Sequence, residues 1–136
     1  MSIAWNVKPE VILLVDSESG TRALCRKILI EEGYTVLEAD SGFEALIVAG
    51  EHGGQVDLLL TDSGMPRITG VQLARAFERL WPHVPVMYLA DRASPPRYPN
   101  RGATVIAKPL VSILLKQRID DLFGNPKVAA APGSVH

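Results

Sequence analysis

Two aspartates and one lysine stand at the ends of apolar runs and could together carry out phosphoryl chemistry. Asp16 follows "VILLV", Asp62 follows "LLLT" and Lys108 follows "ATVIA". Two carboxylates can hold a hard cation, one of them can attack phosphorus, and an ammonium group can neutralise phosphoryl oxygens. A loop with glycine and proline follows Asp62, and Pro109 follows Lys108. The combination predicts an acyl-phosphate site.

Each of these three residues also has an ordinary interpretation. Asp62 could be a surface aspartate at the end of a strand, and Lys108 could be a solvated lysine. Asp16 could cap the first helix, a role that is compatible with metal binding. Taken alone, Asp62 fits the surface interpretation better, but its register with Asp16 and Lys108 favours a site.

Five short apolar runs predict the strands that must position these residues. The runs cover residues 11–15, 35–39, 57–61, 84–90 and 103–107. Several of them are apolar on both faces, as expected for parallel strands that are covered by helices. Asp16, Asp62 and Lys108 then stand at the carboxyl ends of three different strands, which is where ligands bind in open parallel sheets.

The segments between and after these runs carry apolar residues at helical spacing. The predicted core positions are Ala23, Leu24, Ile28 and Leu29 in the first helix, Val71, Ala74, Phe77 and Trp81 in the third, and Val111, Leu115, Ile119 and Leu122 in the last. Ser41 and Glu44 have the spacing of a capping box and predict the start of the second helix. Gly33 and Gly124 are predicted to end the first and last helices.

The alternation of strands and helices predicts an α/β fold with a doubly wound, five-stranded parallel sheet and right-handed crossovers. The fourth connection, residues 91–102, contains Pro95, Pro96 and Pro99. Each proline lacks a backbone donor and disfavours helix at the preceding residue, so the fourth helix is predicted to be short or missing. One domain is predicted over 10–123, with an N-terminal extension at 1–9 and a flexible tail at 124–136.

The composition limits the classes of function. The formal net charge of −1 over 136 residues gives no strong field that would attract nucleic acid. No apolar run approaches the roughly 20 residues that span a bilayer, and no signal peptide is recognisable at the N-terminus, so a cytoplasmic protein is expected. The single cysteine, Cys25, is predicted to be a core residue, and His52, His83 and His136 are too scattered to predict a zinc site.

The motifs around the three site residues are similar to those of one protein family. "ILLVDSE", "LLLTDSGMPRITG", "PVMYLA" and "GATVIAKPL" resemble the receiver domain of bacterial two-component response regulators, from about residue 11 to residue 123. The spacing D-x-x-M-P-x-x-x-G, followed in register by a late K-P pair, makes the resemblance specific. It implies a flavodoxin-like fold with strand order 2-1-3-4-5.

The resemblance also implies roles for individual residues. Asp62 would be the phosphoacceptor, and Lys108 would contact the phosphate. Asp16, Asp62 and the main-chain carbonyl of Gly64 would hold Mg²⁺, with Ser17 as a weak ligand or one that acts through water. The implied phosphodonor is a histidine kinase or a histidine phosphotransfer protein, and no nucleic-acid or membrane partner is expected.

Several positions depart from the pattern of the family. Ser17 stands where receivers usually have a second acid, so magnesium is expected to bind weakly unless Glu18 reaches the site. Ala90 stands where a Ser or Thr usually bonds the phosphoryl group, and Val105 stands where a switch aromatic is usual. Asp91 replaces a small residue, and its charge would repel a phosphoryl group if it pointed inward. The usual hydroxyl and aromatic relay therefore cannot carry the output.

Three functional hypotheses follow from these observations. The first is a single-domain response regulator that catalyses at most its own phosphorylation and dephosphorylation and signals to an unknown downstream protein by contact. Met1 and the short tails favour a complete small protein of this kind. The second is a pseudo-receiver that keeps the fold and signals without phosphorylation. The third is an aspartyl phosphatase of the haloacid-dehalogenase type with Asp16 as nucleophile, although that family requires Asp-x-Asp and this chain has Glu18 at the third position.

Overall fold

A computed structural model describes residues 9–90, 103–108 and 112–124 of the chain. Helices separate the first four strands, and one further helix follows the fifth strand. In chain order the elements are β1 (Val11–Val15), α1 (Ser19–Glu31), β2 (Thr35–Ala39), α2 (Gly42–Glu51), β3 (Leu58–Asp62), α3 (Gly70–Leu80), β4 (Val86–Ala90), β5 (Thr104–Ala107) and α4 (Ser112–Phe123). Within these described ranges, no helix is long and apolar enough to cross a membrane.

The five strands form one parallel sheet in the order β2-β1-β3-β4-β5. In β1, Leu14 pairs with Glu38 of β2 on one side and with Leu60 of β3 on the other. The predicted α/β class and the strand order 2-1-3-4-5 are therefore confirmed. The chain reverses its direction of winding between β1 and β3, so the crevice at the carboxyl ends of these two strands is the topological switch point of the sheet.

Other predictions concern residues outside the described ranges. The helix of the fourth connection falls on residues 91–102, the extension falls mostly on 1–8 and the tail mostly on 125–136. The short or missing helix and the domain bounds 1–9, 10–123 and 124–136 therefore stay predictions.

The sheet separates two hydrophobic clusters, one on each face. Ile12 and Leu14 of β1 pack in the cluster that also contains buried residues of α1 and α4, whereas Leu13 and Val15 pack in the cluster with α2 and α3. Because neighbouring residues of a strand point to opposite faces, a strand buried on both sides is mostly apolar. This explains the apolar runs that precede Asp16 and Asp62.

Four strand boundaries differ from the predicted ones. β3 ends at Asp62, one residue later than predicted, because Asp62 still pairs with Leu89 of β4, and it begins at Leu58, also one residue later than predicted. β4 begins after Pro85, which has no N–H to give to a ladder. β5 begins at Thr104, one residue later than predicted, opposite Met87. For function, the inclusion of Asp62 in β3 matters most, because the backbone of Asp62 is then fixed by its pairing with β4.

The predicted core face of α1 is partly wrong. Ile28 and Leu29 are buried as expected, but Leu24 is 47% exposed and Ala23 is also exposed, while Cys25 is fully buried. The pair Leu24 and Ile28 and the pair Cys25 and Leu29 have the same i, i+4 spacing, so the sequence pattern alone does not fix how the helix is rotated.

In α3 and α4 the predictions are also correct only in part. The buried positions among those predicted are Ala74, Phe77, Leu115 and Ile119, and the half-buried or exposed ones are Val71, Trp81 and Leu122. Val111 lies outside the described residues. In α4 Asp120 is buried, although it is polar, and accepts a hydrogen bond from Tyr34 Oη at 2.7 Å, whereas Leu122 is exposed.

The ends of the helices follow local capping rules. Ser41 Oγ accepts a hydrogen bond from the amide of Glu44, while the Glu44 carboxylate accepts one from the amide of Asp40, one residue before its expected partner. Gly33 and Gly124 adopt positive φ angles of 94° and 63° after α1 and α4, as a helix-ending glycine does. These local contacts and glycine conformations set where the helices begin and end.

Candidate functional site

Asp16 is the first residue after β1 and is completely buried. Its amide donates to the carbonyl of Ala39 (3.2 Å), which continues the pairing of β1 with β2 by one residue. Its Oδ1 accepts from the amide of Glu18 (2.9 Å), and its main-chain carbonyl accepts from Arg22 Nη1 (2.7 Å). Main chain and side chain are both held, so Asp16 has a fixed orientation.

Asp62 is the last residue of β3 and is 8% exposed. The amide of Gly64 donates to its Oδ1 at 3.3 Å, and the amide of Ser63 donates to the carbonyl of Leu89 of β4 at 2.8 Å. The loop that follows is anchored by Met65, which is buried in the same cluster as α2 and α3. The Asp62 carboxylate therefore lies at the strand end and is largely buried.

Gly70 lets α3 start directly against the end of β3. A Cβ atom at this position would lie 1.9 Å from the main-chain oxygen of Asp62, closer than any side chain could be tolerated. The amide of Gly70 donates to the carbonyl of Ser63 at 3.0 Å, which closes the loop between the two elements. The last glycine of the D-x-x-M-P-x-x-x-G motif is therefore required by packing against the Asp62 backbone.

Lys108 joins the two aspartates. Its Nζ lies 3.0 Å from Asp16 Oδ2 and 3.5 Å from Asp62 Oδ1. Its amide donates to the carbonyl of Ala90 at 2.9 Å, so the residue is tied to the end of β4 as well as following β5. The structure thus brings together the three residues predicted from three strand ends. We call Asp16, Asp62 and Lys108 the acceptor cluster.

The acceptor cluster carries two carboxylates against one ammonium group. Burial raises the pKa of Asp16, and the charge of Asp62 adds to the rise, although hydrogen bonds from Glu18 and Lys108 oppose it. Burial alone would lower the pKa of Lys108, but its hydrogen bond to Asp16 and the charges of both carboxylates outweigh that cost and raise it. The lysine therefore stays protonated at neutral pH, and the cluster favours additional positive charge.

The donor atoms of the cluster fit a hard cation such as Mg²⁺. Asp16 and Asp62 offer carboxylate oxygens, which this ion prefers, and magnesium commonly keeps water in its other positions. Over the described ranges, no group of three or more His, Cys, Asp or Glu is arranged to hold a metal ion. Weak magnesium binding stays a prediction. The main-chain carbonyl of Gly64 and Ser17 stay predicted ligands.

The residues next to Asp16 do not add a second acid to the cluster. Ser17 is exposed and carries no charge. The carboxylate of Glu18 accepts a hydrogen bond from the hydroxyl of Thr21, so it is engaged in the first turn of α1. Glu18 is also the N-cap residue of α1, without a side-chain cap bond of its own. Asp91, the other acid in question, lies outside the described residues.

Two positions near the cluster lack the groups that would report a phosphoryl group. Ala90 is buried at the end of β4, and Val105 is partly exposed in the middle of β5, opposite Tyr88. Neither side chain has a hydroxyl group or a ring. We call Ala90 and Val105 the readout positions. Both residues lie in paired strands of the sheet, and their side chains are aliphatic.

Arg22 and Glu38 are site neighbours that the sequence prediction missed. Arg22 Nε lies 3.3 Å from Glu38 Oε1, while Arg26 Nε lies 3.1 Å from Glu38 Oε2. The same Arg22 side chain donates to the carbonyl of Asp16. A signal was present, because Glu38 is the one charged residue in the otherwise apolar run of β2 and Arg22 and Arg26 are one helical turn apart.

Cys25 has no role in the cluster chemistry. Burial raises the pKa of its thiol to about 12, and the charge of Asp16 adds to this rise. A thiol that stays protonated and buried is neither a nucleophile nor a ready metal ligand. The interpretation of Cys25 as a core residue is therefore confirmed.

Comparison with known proteins gives a consistent result. The sequence profile of the response regulator receiver domain matches residues 12–120. The chemotaxis protein CheY of Pseudomonas aeruginosa is 34% identical over 120 residues, which cover 82% of this chain and 94% of that protein. A crystal structure of a response regulator receiver domain protein from Clostridium thermocellum has 26% identity and a TM-score of 0.74, and the match covers 88% of this chain and 98% of that one.

Some relatives are much longer than this chain. The transcriptional regulatory protein GlrR of Escherichia coli is 35% identical over 118 residues, which cover 84% of this chain but 26% of that protein. The chain thus spans about a quarter of the length of that relative. The matched residues 12–120 include the whole acceptor cluster. The profile match does not support the aspartyl phosphatase hypothesis.

Proposed function

Because this chain belongs to the response regulator receiver domain family, we propose that it accepts a phosphoryl group on Asp62 and signals through contact with another protein. The observation that supports this most is the position of Lys108 Nζ, 3.0 Å from Asp16 Oδ2 and 3.5 Å from Asp62 Oδ1. Three charged groups from three strands meet at the carboxyl edge of the sheet. A single domain over residues 10–123 would carry this function.

In the proposed reaction, an oxygen of Asp62 attacks phosphorus. A new P–O bond forms as the bond from phosphorus to a histidine nitrogen of the donor breaks. The electron pair of the broken bond returns to that nitrogen, and the donor ring, protonated on its other nitrogen, leaves as neutral imidazole. The product is an acyl phosphate, which a second partner can detect or water can hydrolyse. Receiver domains interact with histidine kinases and phosphotransfer proteins, and we propose a donor of one of these two kinds.

Each member of the acceptor cluster has a separate role in this reaction. Asp62 is the nucleophile, and 8% of its surface remains exposed at the end of β3. Lys108 neutralises phosphoryl oxygens, since its ammonium group already faces the Asp62 carboxylate. Asp16, Asp62 and the carbonyl of Gly64 would hold Mg²⁺, with Ser17 contributing weakly or through water. Bound magnesium supplies positive charge to the phosphoryl oxygens.

The proposal is tested by incubation with acetyl phosphate and magnesium, followed by intact-mass measurement. We expect the wild type to gain the mass of one phosphoryl group, and Asp62→Asn to gain none. Asp40→Asn is a matched control, because Asp40 is an exposed aspartate that also follows a strand at this edge of the sheet. Incorporation that persists in Asp62→Asn, or that Asp40→Asn removes, would contradict the assignment of the acceptor.

A second candidate function is a pseudo-receiver that signals without phosphorylation. It is favoured by the uncharged Ser17 and by the absence of a hydroxyl group or ring at the readout positions. Under this hypothesis the wild type gains no phosphate, and Asp62→Asn leaves the partner interaction unchanged. The intact-mass experiment therefore separates the two candidates.

A further inference from the structure

Arg22 connects the cluster residue Asp16 to the neighbouring strand β2. Its Nη1 donates to the main-chain carbonyl of Asp16 at 2.7 Å, and its Nε lies 3.3 Å from Glu38 Oε1. The planar guanidinium group can hold both partners at once, because its donors form a rigid fork. We infer that Arg22, oriented by Glu38, is a positioning residue that fixes the direction of the Asp16 carboxylate.

The hydrogen bonds of Asp16 show why this contact matters. The amide of Asp16 is bonded to Ala39, its Oδ1 to the amide of Glu18 and its Oδ2 to Lys108. The carbonyl of Asp16 lies beyond the last residue pair of β1 and β2, and it accepts its hydrogen bond from the Arg22 side chain. Without Arg22, the turn between β1 and α1 keeps a buried carbonyl that has lost its hydrogen bond, and such a group reorients toward water.

The positioning role counts for more in this chain than it would beside an acid pair. Ser17 adds no charge next to Asp16, so the negative charge offered to a bound cation comes from the carboxylates of Asp16 and Asp62. An error in the direction of one of two charged ligands then weakens the site strongly. This part of the inference rests on the proposed function, since it concerns magnesium, while the ordering of the turn does not.

Arg26 provides a matched control. It is one helical turn after Arg22 on α1, and its Nε lies 3.1 Å from the other carboxylate oxygen of Glu38. Arg22→Ala and Arg26→Ala therefore each remove one positive charge and one ion pair with Glu38. The two variants differ in one respect: Arg22→Ala also removes the hydrogen bond from Arg22 to the carbonyl of Asp16.

The two variants should differ in their magnesium affinity. If Arg22 acted through its charge alone, its removal would reduce repulsion of the cation, and both alanine variants would bind magnesium more tightly. Positioning predicts that Arg22→Ala weakens magnesium binding about tenfold, the scale of one charge-assisted hydrogen bond. Arg26→Ala should bind as tightly as the wild type or slightly more tightly. Isothermal titration with magnesium chloride measures both.

A second measurement follows the turn itself in the metal-free protein. The amide of Glu18 donates to Asp16 Oδ1, so its hydrogen exchange reports whether that carboxylate is held. We expect exchange at Glu18 to be about tenfold faster in Arg22→Ala and unchanged in Arg26→Ala. Arg22→Lys keeps the charge but loses the fork, and should lie between the wild type and Arg22→Ala in both measurements.

Each outcome decides a separate point. If magnesium fails to bind the wild type, the proposed function loses its cation, while the exchange measurement still tests the positioning role. If Arg22→Ala and Arg26→Ala change magnesium affinity and Glu18 exchange equally, the inference is wrong. Should Arg22→Ala fail to fold, Glu38→Gln replaces it, because it releases Arg22 while keeping the shape of the side chain. Unchanged Glu18 exchange in Glu38→Gln would then overturn the role of Glu38 as the orienting partner.

Discussion

The acceptor cluster and the readout positions belong to one sheet, yet their chemistry differs. In the cluster, the Lys108 ammonium lies within 3.5 Å of two carboxylates. At the readout positions, Ala90 and Val105 offer aliphatic groups alone. One backbone hydrogen bond, from the amide of Lys108 to the carbonyl of Ala90 (2.9 Å), connects the two regions. Under the proposed function, accepting a phosphoryl group and reporting it would therefore depend on separate groups, and the charged ones lie in the acceptor cluster.

The largest expected effect is the loss of the lysine. Lys108→Ala leaves two neighbouring carboxylates without their shared cation, and phosphoryl oxygens without a positively charged contact. We expect the rate of phosphorylation by acetyl phosphate to fall about a hundredfold, as when one preorganised donor is removed. Lys116→Ala is the control, because Lys116 pairs with Glu32 on another part of the surface. An equal rate in both variants would remove Lys108 from the chemistry.

The packing of α3 against the Asp62 backbone gives the next largest effect. A Cβ atom in Gly70→Ala would lie 1.9 Å from the main-chain oxygen of Asp62, and backbone cannot move aside as a side chain can. We expect the free energy of unfolding in urea to fall by about 2 kcal/mol. Gly50→Ala in α2, where nothing lies within 4 Å, should be stabilised by up to about 1 kcal/mol. Equal stability of the two variants would contradict the close approach.

The effect of the uncharged residue beside Asp16 can be tested by substitution of Ser17. Ser17→Asp adds a carboxylate beside Asp16 and should tighten magnesium binding on the order of tenfold, because affinity for a hard cation rises with ligand charge. Ser19→Asp adds the same charge at the start of α1 and should change affinity much less. Calorimetric titrations compare the three proteins. Unchanged or weaker binding in Ser17→Asp would place Ser17 outside the coordination sphere.

The smallest effect is expected at a readout position. Val105 is partly exposed and has no group that could contact a phosphoryl group, so Val105→Ala should leave the rate of phosphorylation within about twofold. Its stability should change by about 0.5 kcal/mol, as for most surface substitutions. A large loss of phosphorylation in this variant would mean that the acceptor cluster and the readout positions are coupled, and would contradict their separation.

The sequence predicted that Asp16, Asp62 and Lys108 would lie together, because strand ends leave a clear pattern. Apolar runs that stop at Asp16 and Asp62 specify where strands buried on both faces emerge, and parallel pairing brings such ends to one edge. The rotation of α1 was not predictable in the same way, since Leu24 and Cys25 both fit helical spacing with later apolar residues. The choice between them depends on packing against the sheet.

Contacts between distant polar residues were also missing from the prediction. Nothing in the spacing of the sequence pairs Tyr34 with Asp120, whose buried hydrogen bond is 2.7 Å long. The contacts of Arg22 with Asp16 and Glu38 likewise depend on how α1 lies across β1 and β2. Long side chains reach partners that are chosen by the tertiary structure, so such pairs become visible only after the elements have been placed.

The most direct test of the proposed function is to locate the phosphoryl group. After reaction with acetyl phosphate and magnesium, borohydride reduction converts an acyl phosphate into an alcohol, which peptide mass spectrometry assigns to one residue. We predict reduced aspartate at Asp62 and at no other position. Reduction at Asp16, or a reacted protein with no reduced aspartate, would contradict the assignment of Asp62 as the phosphoacceptor.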